Sequence, residues 1–107
     1  MQILKVILID DEIETIKLIT QFEKENTVLL NIITIISDCS LLVDLVDEHK
    51  PDLLIVSLDK DLFNPSILNT ISVHKPKILF LSKDKIHAYN AFKYNGLDFL
   101  LKPLDYN

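Results

Sequence analysis

The chain has 107 residues, a net charge of −5 and 49% hydrophobic residues with a single glycine, Gly96, so it reads as one compact domain over 1–107 and not as a disordered segment. Its 11 basic residues are all lysine and never form a run, which removes the footing for a phosphate track, so no direct nucleic-acid contact is expected. One cysteine excludes an internal disulfide, Asp10 and Asp11 come too early for a signal peptide, and no apolar run approaches the ~20 residues of a membrane span; a cytoplasmic protein is expected.

Leu4 to Ile9, broken only by Lys5, predicts a buried strand. Ile13, Ile16, Ile19 and Phe22 then recur at a spacing of three and predict a helix with those residues inward. Val28 to Ile36 is β-rich but carries Asn31 and Thr34, which suits an edge strand. Leu41, Leu42, Leu45 and Val46 form a second helical stripe with Ser40 as N-cap, stopped by His49-Lys50-Pro51. Leu53 to Val56 is a strand, Pro65 to Val73 a weaker helix, and Ile78 to Leu81 another strand. Ile86 to Tyr94 predicts a helix with Ala88, Ala91 and Phe92 inward and Asn95-Gly96 as its stop, before a last strand at Phe99 to Leu101. Continuous apolar runs imply strands covered on both faces, and the alternation of strand and helix implies right-handed crossovers and a doubly wound parallel sheet. A fifth helix would follow, but only five residues lie beyond Lys102, so that helix is expected to be absent or truncated. Apolar surface would then be exposed unless another chain covers it.

Ligands of open parallel sheets bind at the carboxyl ends of the strands. One residue past each run stand Asp10 and Asp11, Ser57, Ser82 and Lys102. Two carboxylates, two hydroxyls and an ammonium suit a hydrated Mg²⁺ and a phosphoryl group: hard oxygens for the metal, donors and a cation for the phosphoryl oxygens. Asp10, Asp11 and Glu12 have an equally simple reading as acids facing a helix N-terminus.

The segment Val6-Ile7-Leu8-Ile9-Asp10-Asp11-Glu12 resembles the acidic motif that opens response-regulator receiver domains of two-component signalling. ILFLSKDKIHAYNAFKYNGLDFLLKPL, Ile78 to Leu104, resembles the final third of receivers that precede LytTR-type DNA-binding domains. The resemblance runs the length of the chain and implies a CheY-like, flavodoxin-like α/β fold, five parallel strands in the order 2-1-3-4-5. It also implies that Asp10 and Asp11 bind metal, Ser82 is the hydroxyl that senses the phosphoryl group, Lys102 is the ion-pairing lysine, Phe99 is the switch aromatic, and Lys102-Pro103 is cis.

After His49-Lys50-Pro51-Asp52-Leu53-Leu54-Ile55-Val56 the family has its phosphoacceptor aspartate, and this chain has Ser57. A serine hydroxyl needs a base, and none of His49, His74 or His87 is placed as one; they read as surface residues. With Ser57 the metal loses a ligand, Lys102 is expected to pair with Asp10 or Asp11, Mg²⁺ binding is expected to be weak or lost, and the chain reads as a pseudo-receiver. A second register stays open: if the third strand runs two residues further, Asp59 in Leu58-Asp59-Lys60-Asp61-Leu62 is the acceptor. Otherwise Asp59 lies in the following loop, within reach of the metal, and Asp61 is a turn residue. Cys39 reads as a small, partly buried residue. Lys83, where the family has a small residue, reads as a solvated lysine or a screen over the site.

The leading expectation is therefore a non-enzymatic signalling module that works by binding an effector domain, of LytTR type by the resemblance, or a second copy of itself as a dimer. The resemblance assigns that surface to Ile86, Tyr89, Lys93, Phe99 and the chain end. A phosphorylated receiver using Asp59 and served by a sensor histidine kinase is the alternative. Asp59-Lys60-Asp61 also resembles the nucleophile motif of haloacid-dehalogenase-type phosphotransferases, but no acidic motif follows the lysine. One glycine cannot build a nucleotide-binding loop.

Overall fold

The computed structural model describes residues 3–59, 76–87, 93 and 98–104. Five parallel strands, β1 (Leu4–Ile9), β2 (Leu30–Ile36), β3 (Leu53–Ser57), β4 (Lys77–Ser82) and β5 (Asp98–Leu101), form one sheet in the order β2-β1-β3-β4-β5. The helices α1 (Ile13–Glu25) and α2 (Leu42–His49) follow β1 and β2. The chain leaves β1 for β2 on one side and returns to β3 on the other, so strand order reverses between β1 and β3. That is where a doubly wound sheet opens a crevice.

Strict alternation in the strands builds two cores. Ile7, Ile9, Leu54, Val56, Ile78 and Phe80 face Leu42 and Val46 of α2, whereas Val6, Leu8, Ile55 and Leu81 face Ile19 of α1. β1, β3 and β4 are thus apolar on both sides, the physical reason their sequences show unbroken runs, whereas β5, expected to be covered on both faces, is largely exposed at the edge of the sheet. Among the described residues nothing covers the α1 side of the sheet around β4 and β5. Leu100 and Leu101 are exposed there, and a groove of about 560 Å³ is lined by Leu18, Phe22, Leu79, Leu81, Leu101 and Leu104. Among the described residues no helix follows β5.

Several local expectations need correction. Ile13 is 66% exposed, and Thr15 joins Ile19 as a buried residue of α1. At about 100° per residue, positions nine apart lie on opposite sides of a helix, so Ile13 and Phe22 cannot share one inward face. Ser40 is not the N-cap of α2. Its N–H donates to Asp38 Oδ1 at 2.8 Å in a turn, and Leu41, itself exposed, takes the cap position with no side-chain bond. Strand β2 begins at Leu30, after a turn through Val28 and Leu29, and it is an edge strand as expected. Its pairing with β1 skips one residue, Val6 facing Ile32 and Ile7 facing Thr34, and the Ile32 N–H is bound by the Glu23 carboxylate of α1. Residues 85–87 form a 3-10 turn where a helix was expected to begin; Ala88, Tyr89, Ala91, Phe92, Asn95 and Gly96 lie outside the described residues, as do Lys60, Asp61, His74 and the Pro65 to Val73 helix. Cys39 is partly buried against the α2-side core.

Helix α2 stops as expected. Lys50 takes a left-handed conformation, φ 48°, and donates its N–H to Val46 O at 2.9 Å. A residue with a Cβ is strained there, and glycine is not. Lys50→Gly is expected to raise the unfolding free energy by about 0.5–1 kcal/mol, net of glycine's extra chain entropy, in urea denaturation with unchanged slope.

Candidate functional site

Backbone bonds carry the sheet ladder one residue past its strands. Asp10 N–H donates to Ile36 O at 3.0 Å, Leu58 N–H to Leu81 O at 2.9 Å and Lys102 N–H to Ser82 O at 2.8 Å. The residues at the carboxyl ends are therefore held by the sheet itself, and Asp10, Ser57, Ser82 and Lys102 are all buried. Strand β3 ends at Ser57, so the longer strand of the second register does not form and Asp59 lies in the loop beyond it.

Lys102 Nζ is the centre of the cluster. It lies 3.0 Å from Asp10 Oδ2 and 3.3 Å from Asp10 Oδ1, 3.2 Å from Ser57 Oγ, 3.3 Å from Asp59 Oδ2 and 3.7 Å from Glu12 Oε1. Asp59 is thus brought into the site from its loop. Its Oδ1 accepts from Ser82 Oγ at 2.8 Å and from Lys83 N–H at 3.2 Å. Burial works against the Asp59 charge, but the Ser82 hydroxyl, the Lys83 amide and Lys102 outweigh it and hold the carboxyl below its ordinary range. Ser57 Oγ accepts from Lys102 Nζ and from Asp59 N–H at 3.3 Å. The Lys102-Pro103 peptide is cis.

Glu12 and Lys83 add an outer pair that the sequence reading assigned only to capping and screening. Lys83 Nζ lies 2.6 Å from Glu12 Oε2, across the mouth of the site, while Thr15 Oγ1 donates to Glu12 Oε1. The signal available in the sequence was an acid and a base each just beyond a strand end on the same sheet edge. The Lys83 bond and then the Thr15 hydroxyl lower the Glu12 pKa to about 2, against a small opposing effect of burial, and the exposed Lys83 is correspondingly raised. Glu12 also occupies the N-cap position of α1 without a side-chain cap bond, and its N–H donates to Asp10 Oδ1 at 3.0 Å. Asp11 is exposed beside it, and Phe99 packs half-buried against the α2-side core, opposite Phe80 in the ladder.

The carboxylates that could face a divalent cation, Asp10 and Asp59, are both engaged by Lys102. Asp10 Oδ2 is buried, the kind of oxygen a metal would bind, yet the Lys102 ammonium already lies 3.0 Å from it. Among the described residues no three acidic, histidine or cysteine side chains gather as a metal site, and Ser57 brings a neutral oxygen. Nor is any helix among them long and apolar enough to cross a membrane.

No protein-family model matches the sequence. The chain is 31% identical over 112 residues to the transcriptional regulatory protein BtsR of Escherichia coli K12 and 30% identical to that of Shigella flexneri, matching 95% of this chain but 43% of either regulator. It therefore spans less than half the length of those proteins. The response regulatory domain of mrkE from Klebsiella pneumoniae superposes with a TM-score of 0.73 at 28% identity, over 95% of this chain and 85% of that one. The REC domain of AraT, a response regulator from Geobacillus stearothermophilus, gives 0.79 at 21% identity, over 98% and 85%. This chain has the receiver fold. In sequence as well as fold it is similar to the receiver domains of response regulators.

Two outcomes follow for the site. Lys102→Met leaves the buried Asp10 carboxylate without its cation, removes one partner of the half-buried Asp59, and is expected to destabilise the fold by about 3–5 kcal/mol in urea unfolding. Adding Asp10→Asn to it should recover part of that loss, a coupling read from the double-mutant cycle. Because the Glu12 carboxyl is depressed, its stabilising contribution is complete above the ordinary value of 4.5 and is lost progressively as pH falls from there through about 2. Carboxyl NMR of the metal-free protein should find that low midpoint, and Lys83→Ala should move it back toward 4.5.

Proposed function

We propose that this chain is the receiver-like domain of a two-component response regulator and that it signals through protein contacts without accepting a phosphoryl group. The carrying observation is the neutral Ser57 at the end of β3, buried, its oxygen accepting from Lys102 Nζ at 3.2 Å and from the Asp59 amide at 3.3 Å. A hydroxyl oxygen engaged by an ammonium and an amide is electron-poor, the reverse of an activated nucleophile. The Lys102 ammonium beside Asp10 supports weak Mg²⁺ binding on the same grounds. The proposed partner is an effector domain, of LytTR DNA-binding type by the sequence resemblance, or a second copy of the chain. BtsR, named as a transcriptional regulator and more than twice the matched length, supports an effector domain as the output. The proposed contact surface takes in Ile86, 72% exposed, with Lys93 and the β5 end near Phe99.

One observation favours a second reading. The Asp59 carboxylate lies 3.3 Å from Lys102 and 2.8 Å from Ser82, within the cluster where an acceptor would stand, and a sensor histidine kinase would then be a partner. Intact mass after incubation with acetyl phosphate and Mg²⁺ separates the two. No adduct is expected on the wild-type chain; an adduct that disappears in Asp59→Ala would make Asp59 the acceptor and overturn the contact-only reading.

A further inference from the structure

Three donors of different chemical type converge on the Asp59 carboxylate. Ser82 Oγ binds Oδ1 at 2.8 Å, the Lys83 backbone N–H lies 3.2 Å from Oδ1 and 3.3 Å from Oδ2, and Lys102 Nζ lies 3.3 Å from Oδ2. A hydroxyl, an amide and an ammonium around one anion form an oxyanion site. All three belong to the carboxyl ends of β4 and β5, which are tied together by the 2.8 Å bond from Lys102 N–H to Ser82 O. The Ser82 oxygen in turn accepts from Asp84 N–H at 3.1 Å, which directs the hydroxyl proton toward Asp59. The receptor is therefore built on the sheet, while the anion arrives from the loop after β3, anchored by its own N–H on Ser57 Oγ.

We propose that Asp59 is a built-in ligand of this oxyanion site, so that the ends of β4 and β5 are held in their anion-bound arrangement by the chain's own carboxylate, and that a free tetrahedral oxyanion binds there only when Asp59 is removed. The proposal rests on the contact-only reading above and deepens it: the same three donors cannot hold the Asp59 carboxylate and the oxygens of an incoming phosphoryl group at once. Like charge reinforces the exclusion, since a dianion would sit against Asp59 with Asp10 close by on Lys102.

The test is an amide NMR titration with inorganic phosphate, which donates no phosphoryl group. In the wild-type chain the Lys83 and Asp84 amides are expected to stay unmoved. In Asp59→Ala the Lys83 amide should shift on loss of its acceptor, and phosphate should return it saturably toward the wild-type position, with affinity about tenfold or more above any wild-type response. Asp59→Asn, which keeps the shape and loses the charge, should show a weaker form of the same behaviour and serves if the alanine variant does not fold. Asp38→Ala removes one charge from the loop after β2, which contributes none of the three donors, and should acquire no phosphate response. Saturable binding at Lys83 in the wild type, or none in the Asp59 variants, would overturn the proposal. An acetyl phosphate adduct would instead sink the contact-only reading, so the two failures are distinguishable.

Discussion

The ammonium of Lys102 is the constraint on which the carboxyl edge of the sheet depends. Its side chain is only 2% exposed, and an unpaired cation at that depth would cost several kcal/mol. It is paired with carboxylates from two other segments, Asp10 after β1 and Asp59 after β3, with the Ser57 hydroxyl as a further acceptor. Lys102 and Asp10 are 92 residues apart in the chain. The parallel ladder brings them together because every strand presents its carboxyl end at the same edge, and the backbone bonds one residue beyond β1, β3 and β5 leave those side chains little choice of position.

Around that ion a second tier closes the mouth. Glu12 and Lys83 pair at 2.6 Å above the buried cluster, and Glu12 Oε1 still lies 3.7 Å from Lys102. The cluster is thus a chain of alternating charge, Lys83 to Glu12 to Lys102 to Asp10 and Asp59, in which no cation is left without a carboxylate. On the contact-only reading proposed above, a neutral serine at the end of β3 leaves internal pairing to take up the valences that a metal and a phosphoryl group would otherwise need. That balance favours one arrangement of the edge, and a domain with one favoured arrangement is suited to presenting a constant surface.

How much of this could be read from residues alone follows from which physical signals are local. The strands were legible because Val6 to Ile9, Leu54 to Val56 and Phe80 to Leu81 are buried on both faces, so burial leaves an unbroken apolar run. The positions of Asp10, Ser57, Ser82 and Lys102 followed from counting one residue past those runs. Helix faces were less legible: a spacing of three drifts around the helix, which is why Ile13 reads as inward and stands in solvent. The least legible feature was the path of the loop after Ser57. Nothing in Leu58-Asp59 says that the carboxylate turns back onto Ser82, because that direction is set by tertiary donors 23 and more residues away. The Lys83 pair was hidden for the same reason, its partner being on β1's loop across the sheet.

The skipped residue in β2 bears on a different hazard. An edge strand offers unpaired amides and carbonyls to any other extended chain, and β2, with Ile32, Ile35 and Ile36, is sticky enough to invite one. Here the register slips between Ile32 and Thr34, and the Ile32 N–H is held by Glu23 from the helix overhead. A visiting strand that matched the first half of β2 would be out of step with the second and would meet an amide already occupied. The irregularity therefore works as protection against edge-to-edge aggregation, built from one extra residue and one glutamate.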